Sequence, residues 1–484
     1  MKKEEQQLAT GVKLDIIAKS ILILTGYGIN IFLARTYGPD KYRDIGLVIS
    51  ILWFFEIFLT NGLRQTISKY VSEGKTDIYY LLKKSRNFQM IMALLLIIIG
   101  AILAYPLTII FDSRYLLKYF FLILIIIPIE GLYYLNFGYL NGKKNFKKQS
   151  LSNILYSIAR FCFVIIITLF TNNGFFPIIL GTFFAYFIVY FYTKKTITYD
   201  NKNENNSISY KELISFTWKI TVFYGLSVIY LNIDYYLINT LEKDRFLLGN
   251  YRSIMNFGQA VYFLYSTIII TFFPIIASMN SANKKKELTD LINKINTIII
   301  LLATSIILGA FCFGEYIIII MFGNDYTISN QYLVPHVVAV IILNFTINIS
   351  NIGILIKTDK KVYITLIISI FITVISTFIL YPYFGIISAP LSIAFALIIY
   401  NFIIYRDIKK NISIKLITKN NLLLIIIFSM YVILTKILFM YINGVCFDLS
   451  IKIIIYISFL AIIFKIYRNE LLTIIKSLKP KKNK

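Results

Sequence analysis

Histidine and cysteine are scarce, since the chain of 484 residues contains one histidine and three cysteines. A single imidazole cannot build a histidine-based metal centre, and Cys162, Cys312 and Cys446 lie too far apart in sequence to form a zinc-binding pair. The segment Gly138–Lys144 is too short for a phosphate-binding P-loop and lacks its Ser or Thr. We therefore expect no metal site and no cofactor.

Charged residues are also few, at 15% of the chain, whereas hydrophobic residues make up 58% and the mean hydropathy is +0.73. A soluble domain of this length would need more polar surface to cover its core. A membrane-spanning helix needs about 20 mostly apolar residues, and such runs recur along the chain. They predict about fourteen transmembrane helices, at roughly 14–34, 45–62, 87–107, 118–140, 150–170, 175–193, 218–239, 250–276, 296–321, 333–356, 362–380, 386–405, 421–441 and 449–466.

The 49 lysines and arginines are distributed unevenly between the two sides of these spans. With a cytoplasmic N-terminus, the outer loops hold only Arg35, Lys41, Arg43, Arg114, Lys118, Lys243 and Arg245. The spans hold Lys19, Arg160, Arg252, Lys436 and Lys452, and the others lie in cytoplasmic segments or at the inner ends of spans. This bias predicts a multi-pass protein of the cell membrane with both termini in the cytoplasm. The net charge of +25 thus reflects membrane topology, and we expect no nucleic-acid partner.

Long polar breaks after the sixth and twelfth spans divide the chain into six, six and two helices. Because six is even, the two six-helix halves enter the membrane in the same orientation, as in transporters built from parallel repeats. The expected fold is an all-α polytopic membrane protein with two parallel six-helix bundles plus two C-terminal helices. The predicted domains are residues 1–200, residues 201–410, and residues 411–484, which carry the last two helices and a basic tail.

The predicted outer loops are all short, which disfavours a membrane glycosyltransferase or polymerase with a large external catalytic domain. Ionisable residues within spans cost roughly 2.5 kcal/mol or more each, so each requires a reason. We treat the chain as a transporter without enzymatic activity and take the polar residues inside the spans as its candidate site.

The candidate residues fall on several predicted helices. On the first helix, Lys19 shares a face with Asp15 and Asn30, and a local salt bridge to Asp15 is an equal alternative to a substrate role. The seventh helix is predicted to carry Ser227, Tyr230 and Asp234 on one face. The candidates for substrate binding are Lys19, Asn30, Arg160, Arg252, Asn256 and Gln259, and those for ion coupling or as counter-ions are Glu56, Glu130 and Asp234.

Two alternatives stay open for these residues. Asp234 and Arg252 reach a similar depth on neighbouring helices, and a direct ion pair without any ligand role explains them as well as substrate binding does. The asparagine stripe Asn344, Asn348 and Asn351 is more typical of contacts that hold helices together. Since the interior carries charges of both signs, charge alone does not separate a phosphate-bearing substrate from a cationic drug.

Several short motifs occur in a fixed order along the chain. The predicted first outer loop reads Arg-Thr-Tyr-Gly-Pro-Asp-Lys-Tyr, and the later segments are Gly62–Gln65, Ser68–Val71, Asn232–Ile238, Gly249–Tyr251, Phe322–Tyr326 and Tyr381–Pro390. In these motifs and their order, over about residues 10–405, the chain resembles the polysaccharide transporters of the multidrug/oligosaccharidyl-lipid/polysaccharide exporter superfamily. The chain departs from the family at Tyr42-Arg43 and at Ser388–Pro390.

The resemblance implies a flippase that moves a polyprenyl-phosphate- or pyrophosphate-linked oligosaccharide to the outer leaflet by alternating access. An ion gradient or the membrane potential would supply the energy. The implied partners are the lipid-linked glycan, membrane lipid and glycan-assembly proteins. The alternative is an ion-coupled multidrug extrusion antiporter, although such relatives usually have twelve helices.

Overall fold

The computed structural model describes residues 2–60, 62–74, 77–198, 208–281, 284–356, 358–412, 419–441 and 445–478. Within these ranges the regular secondary structure is helical and contains no strand. Many of the residues are β-branched isoleucines, which favour strands in water. Lipid offers the backbone no water to bind, so hydrogen bonds inside helices must satisfy its polar groups. The predicted all-α class is confirmed.

The chain forms two compact units, one ending at Arg252 and the other starting at Ser253. The first contains α1 (Lys2–Thr60), α2 (Gly62–Glu73), α3 (Ile78–Ile110), α4 (Leu117–Ile123), α5 (Ile126–Gly142), α6 (Phe146–Phe170), α7 (Phe175–Lys194), α8 (Tyr210–Ile229), α9 (Ile233–Leu241) and the start of α10 (Arg245–Ser281). The second contains the rest of α10, α11 (Lys285–Phe322), α12 (Asn330–Leu355), α13 (Asp359–Phe384), α14 (Ser388–Asn411), α15 (Lys419–Tyr441) and α16 (Val445–Leu478).

Helix α1 is interrupted at Gly38, whose φ of 71° and ψ of 173° are not helical. A positive φ suits glycine, and the following Pro39 has no N–H to continue the helix. The Tyr42 hydroxyl donates to Asn30 Oδ1 over 3.0 Å, although the 12 residues between them would span about 18 Å of straight helix. The chain therefore folds back at this point, and α1 comprises the first two predicted spans.

The seventh predicted span is broken where the sequence predicts a continuous helix. Helix α8 ends at Ile229 and α9 begins at Ile233, with Asn232 in a non-helical conformation (φ −133°, ψ −6°). The prediction that Tyr230 and Asp234 share one helical face is therefore wrong, because the break intervenes. The side chain of Ser227, the third member of that face, lies outside the described residues.

Ten helical segments of the described chain are long and apolar enough to cross a membrane. The longest, Leu14–Glu73, has 60 residues and would measure about 90 Å as a straight helix, three times the hydrocarbon thickness. Lys360–Lys410 is likewise interrupted, at Gly385 with φ 54°. The protein is a polytopic membrane protein, and the number fourteen stays a prediction.

Helices α15 and α16 pack against α11 of the second unit. Their buried contact residues are Leu301, Leu308, Cys312, Leu424, Phe459, Ile463 and Tyr467. The Tyr431 hydroxyl of α15 donates to Ser458 Oγ of α16 over 3.1 Å. In lipid this association depends on close packing and on such hydrogen bonds, because apolar burial gives helices little advantage over contact with lipid tails.

Candidate functional site

The first part of α1 carries two of the candidate substrate-binding residues, and both have local partners. Lys19 Nζ lies 2.8 Å from Asp15 Oδ2, with side chains 57% and 30% exposed, so the local salt bridge is present. The Asn30 amide donates to the Gly26 carbonyl over 2.9 Å and accepts from Tyr42. These contacts give both residues a role within α1, and their substrate roles stay predictions.

Two carboxylates, those of Glu56 and Glu130, meet beside a pair of tyrosines. Glu56 of α1 accepts a hydrogen bond from the Tyr134 hydroxyl of α5 over 3.2 Å, and Glu130 of α5 accepts one from Tyr186 of α7 over 3.0 Å. The rings of Tyr134 and Tyr186 are 6.1 Å apart, which brings the two carboxylates into one cluster. Glu130 is fully buried, and among the described residues its second carboxylate oxygen has no hydrogen-bond partner.

Arg160 of α6 supplies the positive charge of this cluster. Its Nε donates to Thr182 Oγ1 of α7 over 3.1 Å, and its charge interacts with Glu56 and Glu130. Within the described part of the chain, the guanidinium makes no other hydrogen bond and no ion pair within 4.0 Å. The terminal nitrogens of Arg160 thus remain available, in a cluster whose two carboxylates outnumber its one guanidinium.

Aromatic rings form the wall around these charges. Tyr156 of α6 lies 4.6 Å from the Tyr186 ring, and Tyr133 of α5 lies 5.7 Å from it. The Tyr133 hydroxyl donates to Asn153 Oδ1 over 3.2 Å. We call the set of Glu56, Glu130, Tyr134, Tyr156, Arg160 and Tyr186 the Glu130 cluster.

Sequence reasoning missed two residues of this region. Arg64 of α2 falls in a predicted cytoplasmic segment, yet its charge interacts with Glu56, and its guanidinium lies 5.7 Å from the centre of the Phe137 ring. Tyr186 was one of 37 tyrosines without a distinguishing context. The spacing of Thr182 and Tyr186 by one helical turn was the available signal, because it places two hydroxyls on one face of the predicted sixth helix.

Asp234 and Arg252 lie in a second buried group of the first unit. Asp234 accepts from the Tyr251 hydroxyl over 2.5 Å and from the Tyr235 backbone N–H over 2.8 Å. The guanidinium of Arg252 lies 5.6 Å from the centre of the Tyr235 ring, and the residue is 1% exposed. Its side chain packs so closely on Gly46 that any added Cβ there would overlap it. This burial distinguishes Arg252 from the half-buried Arg160.

Asn256 and Gln259 belong to the second unit. The Asn256 amide donates to the Ser253 carbonyl over 3.1 Å, and the buried Gln259 Nε2 has no partner in the described part of the chain. On α12, Asn348 donates to Asn296 of α11 over 3.2 Å, a contact that joins two helices.

A guanidinium with available donors, carboxylates and flat aromatic rings can bind groups of three kinds. Arginine pairs with phosphate oxygens, carboxylates accept hydrogen bonds from hydroxyls, and tyrosine rings pack against apolar or cationic faces. This group, carried by helices long enough to cross a membrane, is the candidate functional site. A family described as "Polysaccharide biosynthesis protein" matches residues 9–280. The chain belongs to this family.

Solved structures share the fold at low sequence identity. The lipid II flippase MurJ in an inward closed conformation is 16% identical, covering 95% of this chain and 99% of its own, with a TM-score of 0.72. An inward-facing multidrug resistance MATE family transporter of the MOP superfamily is 14% identical over 82% of this chain and 98% of its own, with a TM-score of 0.66. The Vibrio cholerae MATE transporter VcmN is 12% identical, covering 84% of this chain and 98% of its own, with a TM-score of 0.59. Comparison with curated protein sequences gives no match.

Proposed function

We propose that the protein is a flippase for a polyprenyl-(pyro)phosphate-linked oligosaccharide repeat unit used in cell-surface glycan assembly. It moves this substrate from the cytoplasmic to the outer leaflet by alternating access. Both termini lie in the cytoplasm, and the partners are the glycolipid, membrane lipid and glycan-assembly proteins. Membership of the polysaccharide biosynthesis family and a transporter fold support the proposal.

The observation that carries the proposal is the available guanidinium of Arg160. A phosphate group requires charge-assisted donors, and arginine can present two of them in parallel. Arg160 is fixed at Nε by Thr182, which orients the guanidinium and leaves its terminal nitrogens for the phosphate. The rings of Tyr156 and Tyr186 flank this position and provide flat surfaces for the sugar.

The carboxylates of Glu56 and Glu130 have the ion-coupling role in this proposal. An anionic headgroup beside two carboxylates would be repelled, so neutralisation of one of them favours its binding. The unpartnered oxygen of Glu130 is the position at which a proton or small cation would act. Asp234 is proposed as a counter-ion and Arg252 as a further headgroup ligand, exposed only when α9 and α10 move.

The proposal is tested by exchanging Arg160 for Met and for Lys in protein reconstituted into liposomes with a fluorescent polyprenyl-pyrophosphate oligosaccharide. Loss of one charge-assisted contact corresponds to roughly a 10- to 100-fold lower flipping rate for Arg160→Met. Arg160→Lys keeps the charge but not the paired donors, so it should retain an intermediate rate.

The matched control is Arg114→Met, because Arg114 is exposed and lies on a predicted outer loop. It should flip the glycolipid at the wild-type rate. A normal rate for Arg160→Met, in protein that remains folded, would contradict the assignment of Arg160 to the headgroup.

The second candidate is extrusion of cationic drugs. Paired carboxylates with tyrosine rings also suit an organic cation, and MATE transporters share the fold. A cation would bind the carboxylates and be repelled by Arg160. Arg160→Met would then improve drug transport, whereas the flippase proposal requires a loss of glycolipid movement.

A further inference from the structure

Three segments predicted to be outer loops meet around the carboxylate of Asp44. Asp44 Oδ1 accepts from Arg43 Nη1 over 2.7 Å, and Oδ2 accepts from the Tyr115 hydroxyl. Arg245 Nη1 lies 3.7 Å from Asp44 Oδ2. These residues come from the second part of α1, the segment before α4 and the first residue of α10. The carboxylate therefore joins parts of the chain that lie about 70 and about 200 positions apart in sequence.

The residues of this network differ in burial: Arg43 and Asp44 are buried, whereas Arg245 is partly exposed. The side chains of Arg43 and Asp44 are 3% and 4% exposed, and Arg43 also donates to Ser113 Oγ over 2.5 Å and to the Phe111 carbonyl over 2.7 Å. The Arg245 side chain is 41% exposed. Breaking a buried pair leaves an uncompensated charge, whereas water replaces the partners of an exposed arginine at small cost.

Arg245 also fastens the start of α10 to the segment before α4. Its guanidinium donates to the Tyr115 hydroxyl and to the Asp112 carbonyl, each over 3.1 Å. Beside it, the backbone of Gly249 contacts the Pro39 carbonyl so closely that a side chain would not fit. The Tyr235 hydroxyl of α9 donates to the Arg43 carbonyl over 2.6 Å.

In the predicted division, α8, α9 and α10 begin the second six-helix lobe, whereas α1 and α4 belong to the first. In the structure, all residues of this network lie in the compact unit that ends at Arg252. We propose that Arg245 is the releasable half of a gate at the outer face, and that the buried Arg43–Asp44 pair is the fixed half that receives it. Release of Arg245 from Asp44, Tyr115 and Asp112 is the first step of opening, and the contacts of Tyr235 and Gly249 with α1 separate after it. The proposal rests on the alternating access of the proposed function, but its test requires no substrate.

The test uses the buried serine Ser50 as a reporter behind the gate. Ser50 is 1% exposed and lies six residues beyond Asp44 on α1, about 9 Å deeper. Its hydroxyl has no hydrogen-bond partner among the described residues, so a thiol fits with little disturbance. With the three native cysteines replaced by serine, Ser50→Cys is reacted with a membrane-impermeant maleimide applied from the outside.

Arg245→Ala should accelerate this labelling about 5- to 30-fold, the shift expected when one exposed ion pair and two hydrogen bonds are lost. Arg245→Lys keeps only the ion pair, so its labelling rate should lie between those of the parent protein and Arg245→Ala. The control Lys243→Ala removes an exposed charge two residues away and should label at the parent rate. Parent-rate labelling in Arg245→Ala would overturn the proposal.

A second reporter separates gating from general loosening. Ser85 of α3 is also buried, and its hydroxyl likewise has no partner among the described residues, but it lies near the predicted inner end. Arg245→Ala should leave the labelling of Ser85→Cys from the inside unchanged or slower. Faster labelling of both reporters would show a loss of packing and refute the gate. If wild-type protein moves no glycolipid while the Ser50 result holds, the flippase proposal fails and the gate stands.

Discussion

Replacement of Arg43 by Met should destabilise the folded protein far more than replacement of Arg245 by Ala. Arg43 is buried and makes three hydrogen bonds, to Asp44, Ser113 and Phe111. Methionine fills much of the same volume but leaves the Asp44 carboxylate buried with the Tyr115 hydroxyl and an arginine 3.7 Å away. Loss of one member of a buried pair costs about 3–5 kcal/mol.

Arg245→Ala should lower the free energy of unfolding by no more than about 2 kcal/mol, because the side chain is 41% exposed and water takes over its contacts. Lys284→Ala provides a reference, since it breaks an ion pair with Glu287 whose side chains are 54% and 56% exposed. Its expected effect is about 0–1 kcal/mol.

The assay is the free energy of unfolding of the full chain in bicelles, measured by steric trapping for the wild type and the three variants. The expected order of destabilisation is Arg43→Met, then Arg245→Ala, then Lys284→Ala. Equal losses for the two arginines would refute the division into a fixed and a releasable half. So would a loss below about 1 kcal/mol for Arg43→Met.

Three further outcomes follow from the packing. Gly249→Ala should prevent close approach to the Pro39 carbonyl, and a thermal shift of the reconstituted protein should record a lower unfolding temperature. Phe459→Ala should leave a cavity that costs on the order of 1 kcal/mol or more, and hydrogen exchange should then accelerate first in α15 and α16. Glu130→Gln should keep the acceptor of the Tyr186 hydroxyl and change stability by less than about 1 kcal/mol, yet lower the flipping rate at least tenfold. Unchanged flipping in Glu130→Gln would remove this residue from the coupling role.

Most helices were predictable from the sequence because an apolar segment that crosses lipid has few backbone conformations other than a helix. Spans such as 175–193 and 421–441 match α7 and α15 closely, since apolar runs bounded by polar segments fix both ends. The point at which α1 folds back was also predictable, because Gly38 and Pro39 both interrupt a helix. The break between α8 and α9 has no such signal, because residues 230–232 contain neither glycine nor proline.

The sequence identified several residues of the candidate site, but it did not show which of them lie in contact. Glu56, Glu130 and Arg160 were identified because charges inside spans are costly, whereas Tyr186 resembled many other tyrosines. Arg43 falls in a predicted outer loop, between the spans 14–34 and 45–62, yet its side chain is 3% exposed and is hydrogen-bonded to Asp44 and Ser113. Such pairing joins residues about 70 positions apart, which no local pattern reveals.

Transbilayer movement of the glycolipid tests the central claim most directly. Liposomes containing the wild-type protein and a fluorescent polyprenyl-pyrophosphate oligosaccharide are compared with protein-free liposomes, using an impermeant quencher to count the molecules in the outer leaflet. The flippase account predicts that glycolipid from the inner leaflet becomes accessible to the quencher much faster when the protein is present, and that Arg160→Met abolishes most of this gain. Equal rates with and without the protein would contradict it.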